Sequence, residues 1–364
     1  MYFYKNKKRI KVVIAAGGTG GHVFPAISLV EELIKQKKEV IFLFDHRVKE
    51  IVLQNKKLLK NKFVEFYILN ISKNFKNIFS SALSFFKVFL LLIKERPNIV
   101  LGFGGYTSFT TLLSAKILFK PIILHEQNIV IGFVNKLFLP IARKIILGWG
   151  DERNFNSPTN EKYFFIRNPV RKKVLNLIKK FKFEFTKDKI ILLVIGGSQG
   201  AIILGNIIPE AISLIPKNIR KNLYIYHQCS KQNIMEIKKK YISMNLKATC
   251  KTFFKNLPEI MYKSDLVVSR AGASSLSEIT ALGKPAILVP YKFAKNNHQI
   301  ENAKWFKAKG AGDVLREEEL SRESLKKKIL EFLSNFNKLK KMSKKSYKLG
   351  DSESVKKISK LIND

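Results

Sequence analysis

The stretch AAGGTGGHVFP, residues 15–25, decides the predicted fold because it joins a strand to a helix through a glycine-rich turn. The apolar run IKVVI, residues 10–14, predicts a buried strand, and AISLVEELIKQ, residues 26–36, predicts a helix. Four glycines fall within residues 17–21. Because glycine has no Cβ, the backbone N–H groups at such a helix start can approach an anion closely. The stretch therefore predicts a phosphate-binding loop. A tight turn without a ligand is the alternative, and the role of His22 stays open.

The alternation of strand and helix continues along the chain and then starts again. The segment KIILLVIGGSQGAIILGNIIPEAISLI, residues 189–215, repeats the order of strand, glycine-rich turn and helix. Short apolar runs separated by helical patterns are typical of βαβ units. The sequence therefore predicts the α/β class, with two doubly wound, Rossmann-like parallel-sheet domains facing across a cleft. Besides the starts of the two repeated segments, the expected strands are residues 40–44, 98–103, 121–125, 144–148, 222–228, 266–270 and 285–290.

The domain boundary is expected near RNPVR, residues 167–171. This divides the chain into an N-terminal domain over residues 1–168 and a C-terminal domain over residues 169–344. The Lys- and Ser-rich tail predicts an amphipathic helix over residues 345–364, which is expected to pack back on the N-terminal domain. Ligands of open α/β sheets bind where strands end at their carboxyl side, so the loops after strands are the candidate sites.

The composition restricts the class of protein without defining a function. The 364 residues are 46% hydrophobic and 26% charged, which is typical of a globular protein. Two cysteines and no signal-peptide pattern favour a reducing cytoplasm. The formal net charge is +39, but the lysines are spread along nearly the whole chain, which indicates a compositional bias. Such a charge still predicts attraction to anionic surfaces such as lipid headgroups.

Two further glycine loops follow predicted strands, LGFGGYTS at residues 101–108 and VIGGSQGA at residues 194–201. Three such loops favour a protein that handles phosphates in both domains. The dinucleotide fingerprint G-x-G-x-x-G/A fails from Gly18, because its third position is Val23. Asp45 ends the next strand where a ribose-binding acid would lie, so an NAD-type oxidoreductase stays an alternative. The sequence has no HExxH, paired CxxC or DxD-type motif, so it predicts chemistry without a metal or other cofactor.

Polar clusters follow other predicted strands. LHEQN, residues 124–128, is either a surface loop or part of a site. SRAGASSLSEI, residues 269–279, predicts a helix start suited to a diphosphate, with Glu278 able to accept hydrogen bonds from ribose hydroxyls. Glu278 could equally complement the helix dipole. Arg171 and the helix start NNHQIENA, residues 296–303, allow both a ligand contact and a solvated surface.

Taken together, these motifs resemble the MurG family, the UDP-N-acetylglucosamine transferases that convert lipid I into lipid II in peptidoglycan synthesis. GGTGGHVFPA, GFGGY, LHEQN, NPVR, GGSQGA and RAGASSLSEI…GKPAILVP occur in the family's order and at family-like spacings over nearly the whole chain. The resemblance implies a two-domain GT-B glycosyltransferase. It further implies inverting, metal-independent transfer to the 4-hydroxyl of the acceptor's N-acetylmuramoyl sugar. One departure is Arg167, where the family usually has Gly; it is expected to alter the hinge or add a phosphate contact.

The resemblance also implies where the two substrates bind. UDP-N-acetylglucosamine is expected mainly on the C-terminal domain, with Glu278 on the ribose, the backbone near Phe254 on uracil, and Gln299 with His298 on the sugar. The expected donor set is Thr19, Gly20, Gly21, Asn128, Arg171, Ser198, Phe254, Ala273, Ser274, Ser275, Leu276, Ser277, Glu278, His298 and Gln299. The acceptor's diphosphate is expected at the first two glycine loops, at Gly18, Gly104, Gly105 and Tyr106.

The reaction requires a base that removes the proton of the acceptor hydroxyl as it attacks the anomeric carbon. Histidine has an ordinary pKa of about 6.5, so His22 at the edge of the first loop is the first candidate. Glu126 and His125 are the alternatives. A His22 that only orders the loop is the non-catalytic interpretation.

A lipid-linked acceptor requires a route to the membrane. NIFSSALSFFKVFLLLIKER, residues 77–96, is too short and interrupted to span a bilayer. With Lys73, Lys76, Lys87 and Lys94 it predicts a basic-edged amphipathic helix lying on the membrane, or a buried crossover helix, or both. The expected location is the cytoplasmic face of the inner membrane, attached peripherally to its anionic surface.

The resemblance names UDP-N-acetylglucosamine and lipid I as substrates, and other cell-wall synthesis proteins are candidate partners. No nucleic-acid partner is expected. Two alternative functions stay open at this point. One is a UDP-N-acetylglucosamine 2-epimerase-like enzyme, which would act on the donor alone. The other is a basic protein that binds RNA or membrane without catalysis.

Overall fold

The computed structural model describes residues 9–70, 78–150, 161–179, 189–197 and 202–363. Contacts between residues divide the chain into two units. Unit 1 comprises Met1–Pro169 and Glu353–Asp364, and unit 2 comprises Val170–Ser352.

Unit 1 alternates strands with helices. Its strands are β1 (Lys11–Ala15), β2 (Glu39–Asp45), β3 (Val64–Leu69), β4 (Ile99–Gly102), β5 (Ile122–Glu126), β6 (Lys144–Leu147) and β7 (Tyr163–Phe165). Its helices are α1 (Gly20–Lys35), α2 (Lys49–Leu53), α3 (Lys56–Leu59), α4 (Ile78–Glu95), α5 (Gly105–Ile117), α6 (Phe133–Phe138) and, from the end of the chain, α16 (Ser354–Leu361). Within the described residues the strands form one parallel sheet in the order β3-β2-β1-β4-β5-β6-β7.

Unit 2 follows the same plan. Its strands are β8 (Ile190–Ile195), β9 (Leu223–Gln228), β10 (Lys247–Lys251), β11 (Leu266–Ser269), β12 (Ala286–Leu288) and β13 (Gly312–Val314). Its helices are α7 (Lys172–Ile178), α8 (Ile202–Ser213), α9 (Lys217–Arg220), α10 (Ile234–Ser243), α11 (Leu257–Lys263), α12 (Ala273–Ala281), α13 (His298–Ala308), α14 (Arg322–Leu333) and α15 (Phe336–Leu349). In the described part of this unit the parallel strand order is β10-β9-β8-β11-β12-β13.

Burial explains why the central strands form where they do. The residues of β1 after Lys11 are all buried, since helices cover both faces of a doubly wound sheet and favour continuous apolar strands. Side chains of β1 that point to opposite faces, such as Val12 and Val13, belong to different apolar clusters. The predicted α/β class with two Rossmann-like sheets is confirmed.

The strand order creates one topological switch point in each sheet. In unit 1 the chain reverses its direction of winding between β1 and β4, where Ala15 pairs with Gly102. In unit 2 it does so between β8 and β11, where Ile195 pairs with Ser269. Loops that leave adjacent strands in opposite directions open a crevice at such a point. The first two glycine loops and the SRAGASS segment therefore start at switch points.

The sequence predictions differ from the structure in two places. All nine expected strands are present, but β3, β7, β10 and β13, the outer strands of the two sheets, were not predicted. The single helix expected over residues 345–364 is wrong. The chain becomes extended at Gly350, where α15 has ended, and α16 packs on α1 in unit 1.

Candidate functional site

The two glycine loops of unit 1 meet around the ring of His22. An ideal Cβ on Gly104 would lie 3.7 Å from His22 Nε2, and one on Gly105 would lie 3.4 Å from His22 Nδ1. Gly105 has a φ of +80° and its Cβ would also lie 3.2 Å from the carbonyl oxygen of Gly17. A glycine is required there because other residues rarely adopt this backbone conformation and the neighbouring backbone cannot yield. Tyr106, the next residue, has an exposed side chain.

The orientation of His22 assigns its protons. Its Nδ1 lies 2.8 Å from the carbonyl oxygen of Gly17. A carbonyl only accepts hydrogen bonds, so Nδ1 carries the proton and donates it. In the neutral ring Nε2 therefore carries the lone pair, and it is the ring atom that can act as a general base.

His125, the first alternative base, is completely buried at the end of β5. The side-chain amide nitrogen of Gln127 donates to its Nδ1 at 2.9 Å, so the proton of the neutral ring is on Nε2. Burial, together with the charge of nearby His22, lowers the pKa of His125 to about 3. A buried ring that stays neutral and whose Nδ1 already accepts a hydrogen bond is a poor base for a substrate.

Glu126, the second alternative, is also buried and its carboxylate is saturated. Oε1 accepts from the backbone and side-chain nitrogens of Asn128, at 3.0 and 3.2 Å. Oε2 accepts from the backbone of Gly132 at 2.8 Å and from Asn135 Nδ2 at 2.9 Å. These four bonds shape the loop between β5 and α6, so we assign Glu126 a structural role.

A second polar cluster, formed by Asp45, Arg47 and Thr107, packs against the first glycine loop. The Asp45 carboxylate accepts from the Arg47 backbone and guanidinium and from Thr107 Oγ1 at 3.0 Å. Burial acts to raise the pKa of Asp45, but these hydrogen bonds and the arginine charge outweigh it and the pKa lies below its ordinary value. An ideal Cβ on Gly17 would lie 2.3 Å from Asp45 Oδ2, so glycine is needed there. The idea that Asp45 binds a ribose is wrong, because its oxygens face this internal cluster.

In unit 2, Arg171 and Glu278 bind each other directly. Arg171 Nε and Nη2 donate to the two carboxylate oxygens of Glu278, both at 2.5 Å. Burial acts to lower the pKa of Arg171, and the Glu278 carboxylate outweighs it and raises that pKa. The paired fork geometry fixes both side chains, which lie before α7 and inside α12.

At the start of α12, most side chains are buried or bonded within the helix, so the groups left to contact a ligand are mainly backbone N–H groups. Gly272 precedes the helix and makes no side-chain cap, and Ser274 and Ser275 are half-buried. Ser277 Oγ donates to the carbonyl of Ala273 at 2.7 Å, so this hydroxyl is turned into its own helix. Ala273, Leu276 and Ser277 are buried. Any contact of residues 273–277 with an anion would therefore be made largely through N–H groups of the first turn.

The other expected residues of unit 2 lie in separate segments, Phe254 in the loop after β10 and His298 with Gln299 at the start of α13. Phe254 is buried against Tyr226, with ring centroids 6.0 Å apart. Gln299 Oε1 accepts from the backbone of Tyr291 at 3.0 Å, and His298 Nδ1 lies 2.7 Å from the carbonyl of Lys295. Ser198, the expected contact in the third glycine loop, lies outside the described residues.

Several residues near the candidate sites were missed by the sequence analysis. Arg270 follows β11 directly, and its Nη1 donates to the carbonyl of Val289 at 3.0 Å while it pairs with Glu317. Its place between a strand and the glycine of a helix start was the available signal. Arg47 and Thr107 gave no such signal. Arg167, by contrast, was noted in the sequence; it lies over the ring of Trp149 at 5.2 Å, and its Nη1 is 3.5 Å from the carbonyl of Gly148.

Helix α4 occupies most of the apolar segment that was expected at the membrane. Ser84, Val88 and Leu92 lie on its buried face, while the exposed face carries Leu83, Phe86, Leu90 and Ile93 with Lys87 and Lys94. No helix within the described ranges is long and apolar enough to cross a bilayer. Lys73 and Lys76 lie outside the described residues. Within the residues that the structure describes, no group of three or more His, Cys, Asp or Glu side chains could hold a metal ion.

Comparison with known proteins places this geometry in a family. The Glycosyltransferase family 28 N-terminal domain matches residues 12–147, and the Glycosyltransferase family 28 C-terminal domain matches residues 191–362. The chain is 37% identical over 332 residues to the UDP-N-acetylglucosamine--N-acetylmuramyl-(pentapeptide) pyrophosphoryl-undecaprenol N-acetylglucosamine transferase of Rickettsia canadensis (strain McKiel), covering 89% of this chain and 91% of that protein. The protein of the same name from Wolbachia sp. subsp. Brugia malayi (strain TRS) is 35% identical, with 93% and 94% covered.

Solved structures agree with the sequence matches. The crystal structure of MurG from Acinetobacter baumannii superposes with a TM-score of 0.78 at 25% identity, covering 97% of this chain and 99% of that chain. A UDP-GlcNAc 2-epimerase from Neisseria meningitidis has a TM-score of 0.68 at 15% identity, with 98% and 100% covered, which shows a shared fold alone.

The chain is a glycosyltransferase of the GT-B type. This class is defined by the two Rossmann-like sheets, each with its switch point, together with the matches to both glycosyltransferase domains. Within that class the chain belongs to the MurG family, as its motifs indicated.

Proposed function

We propose that this chain transfers N-acetylglucosamine from UDP-N-acetylglucosamine to the 4-hydroxyl of the N-acetylmuramoyl sugar of lipid I, giving lipid II and UDP for peptidoglycan synthesis. The observation that carries the proposal is the match to transferases of that name over most of the chain. The reaction is a single displacement. The bond from the acceptor oxygen to the anomeric carbon forms, the bond to UDP breaks, and the configuration inverts.

His22 is the base in this proposal. Its Nε2 takes the hydroxyl proton, while Gly17 holds Nδ1–H and keeps the ring oriented. The resulting imidazolium is stabilised by the same carbonyl. Gly18, Gly104, Gly105 and Tyr106 lie on the two loops proposed to hold the acceptor's diphosphate through backbone N–H groups. The proposal is supported by the approach of both loops to one ring.

The donor is proposed to bind on unit 2. Arg171 uses two of its N–H groups on Glu278, and each carboxylate oxygen keeps a further lone pair for ribose hydroxyls. Arg171 is proposed to contact the nucleotide sugar, and the first turn of α12 suits the diphosphate that departs as UDP. Ser198, Phe254, His298 and Gln299 complete the proposed set on this unit. Thr19, Gly20, Gly21 and Asn128 are proposed contributors from unit 1.

The test is transfer of labelled N-acetylglucosamine from its UDP donor to a short-chain lipid I analogue, with EDTA present. We expect His22→Ala to lower kcat by about 10²–10⁴-fold, the usual contribution of a general base. His46→Ala is the matched control, because His46 is exposed and lies outside the proposed machinery. Equal transfer by His22→Ala and the wild type would remove the base assignment. UDP release that needs no acceptor would favour the epimerase-like alternative.

We further propose peripheral attachment to the anionic cytoplasmic surface of the inner membrane through the exposed face of α4. Phe86 and Leu90 are 60% and 62% exposed, and Lys87 and Lys94 flank them. Apolar side chains bordered by lysines suit an interfacial helix. We also propose that the chain contacts other cell-wall synthesis proteins.

Co-sedimentation with anionic vesicles tests the attachment. Phe86→Asp with Leu90→Asp should abolish pelleting at physiological salt and leave transfer to a soluble short-chain acceptor unchanged. The control is Ile242→Asp, which changes an apolar residue of α10 that is 74% exposed. A double variant that pellets like the wild type would contradict the proposal.

A further inference from the structure

The guanidinium of Arg47 lies against the first glycine loop. An ideal Cβ on Gly18 would lie 3.5 Å from Arg47 Nη2, 3.7 Å from its Cζ and 3.8 Å from its Nη1. The flat face of the guanidinium therefore packs beside the loop backbone, one residue before the cap of α1 at Thr19. Arg47 lies two residues after the end of β2, which is the strand next to β1, and its side chain is 38% exposed.

A buried carboxylate holds this arginine in place. Asp45 is 2% exposed, and it accepts from Arg47 Nε at 3.1 Å and from Nη2 at 2.7 Å. Thr107, in the first turn of α5 after the second glycine loop, donates to the same carboxylate. One acid thus ties the arginine to both loops. Such a fixed orientation reduces the side-chain entropy that a surface arginine would lose on binding a ligand.

The arginine has donors left over. A guanidinium carries five N–H groups, and Asp45 takes two of them. The loops themselves carry no cationic side chain, since residues 17–21 read GGTGG and residues 102–106 read GFGGY. A diphosphate held there by backbone N–H groups alone would keep most of its negative charge uncompensated. Guanidinium groups suit phosphate oxygens in both charge and geometry.

We propose that Arg47 binds the diphosphate of the lipid-linked acceptor, as the cationic member of the site formed by the two glycine loops. This inference rests on the proposed function, because it takes the acceptor of that reaction as its ligand. The donor also carries a diphosphate, so the two sources of the same anion have to be separated by experiment.

The experiment measures KM for each substrate separately in Arg47→Gln and Arg47→Lys. We expect Arg47→Gln to raise KM for the acceptor by about 10- to 100-fold, the usual size of a lost charged hydrogen bond, with KM for the donor unchanged. Arg47→Lys should recover part of the loss because it restores the charge without the fork. The charge-matched control is Arg143→Gln, an exposed arginine of unit 1.

A second readout separates binding from support of the loop. The wild type should prefer an acceptor analogue with a diphosphate over one with a monophosphate, and Arg47→Gln should lose that preference. A purely structural arginine would lower the rates with both analogues equally, and that result would overturn the proposal. A rise in the donor KM alone would also overturn it.

Inorganic pyrophosphate keeps the inference testable even if the wild type transfers no sugar. Calorimetry should then show pyrophosphate binding to the wild type and at least tenfold weaker binding to Arg47→Gln. In that case the proposed function fails while the anion site stands. Equal pyrophosphate binding by both proteins would remove the anion site.

Discussion

The switch points of the two sheets start from the same strand order and carry different chemistry. In unit 1 the loops after β1 and β4 contain glycines at positive φ and enclose His22, held by a backbone carbonyl. In unit 2 the helix that follows β11 begins after Gly272, whose φ is an ordinary −70°, and carries Glu278 locked to Arg171. The loops of unit 1 place the titratable ring of His22 beside glycine backbone, whereas unit 2 holds the ion pair of Arg171 and Glu278 in one position.

The difference follows from what each proposed ligand needs. Proton transfer requires a group that changes its charge, so the ring must be neutral at rest and partly accessible. Recognition of a nucleotide requires donors and acceptors that keep one position, which a bidentate pair provides. The same strand order can therefore support proton transfer in one unit and nucleotide recognition in the other.

The largest effect that tests this division is expected at the ion pair. Glu278→Ala leaves Arg171 partly buried without its carboxylate, and we expect a loss of about 2–4 kcal/mol in the free energy of unfolding. The donor KM should rise strongly, while the pH profile of kcat, attributed to His22, should keep its shape. Urea unfolding and initial rates measure the two quantities.

The double variant Arg171→Gln with Glu278→Gln serves as its control. It should recover part of the stability, because no charge is left buried, but not the donor affinity. If Glu278→Ala instead shifted the pH profile and left donor KM alone, the two crevices would not divide the work as proposed.

The next effect concerns a property that the units share. Each buries one histidine whose pKa is lowered to about 3, His125 in unit 1 and His227 in unit 2, chiefly through burial. The unfolded chain binds these protons below about pH 6.5 and the folded chain does not until near pH 3. The stabilisation is thus complete above pH 6.5 and is lost as the pH falls, by about 2 kcal/mol for each histidine at pH 5.

Urea unfolding at pH 7 and pH 5 measures this loss. In His125→Asn the new side chain can still accept the hydrogen bond from Gln127, and in His227→Asn it can accept from or donate to the hydroxyl of Tyr241, so the variants should fold. Each should remove about 2 kcal/mol of the pH dependence. An unaltered pH dependence of the free energy of unfolding in both buried variants would refute the argument.

The smallest expected effect is a difference in stability between alanine substitutions at Gly105 of unit 1 and Gly272 of unit 2. Gly105→Ala forces a Cβ onto a φ of +80° and to 3.2 Å from the Gly17 carbonyl, which costs about 1–2 kcal/mol. We expect about tenfold lower kcat, because α5 must shift relative to His22. Gly272→Ala has no atom within 4 Å of the new Cβ and should be neutral in stability. Thermal unfolding and transfer rates would show the contrast, and equal effects at the two positions would contradict it.

Much of the fold could be predicted from the sequence because central strands are buried on both faces. Runs such as KVVIA and KIIL are continuous and apolar, and each coincides with a strand. The strands that escaped prediction are at the sheet edges. In β10, KATCK, only Cys250 is buried, and in β3 four of six residues are at least partly exposed. An edge strand has one covered face at most, so it lacks the apolar run that marks its neighbours.

The candidate sites were predictable as loops but not as geometry. Strand-to-helix glycine turns identified His22, and a helix start identified Glu278. The partners of these residues depend on contacts between distant segments, as in Thr107 with Asp45 or Arg171 with Glu278. The tail was misread because one amphipathic pattern covers two helices that join different units.

The return of the chain to unit 1 through α16 has a consequence for biosynthesis. Val355, Ile358 and Ile362 belong to the same buried cluster as Leu29 and Leu33 of α1. Ribosomal synthesis delivers residues 170–352 before this helix, so the first unit to be started is the last to be finished. A nascent chain would carry an uncovered apolar surface on α1 while unit 2 is made, and a chain that stopped before α16 would leave unit 1, not unit 2, without part of its core.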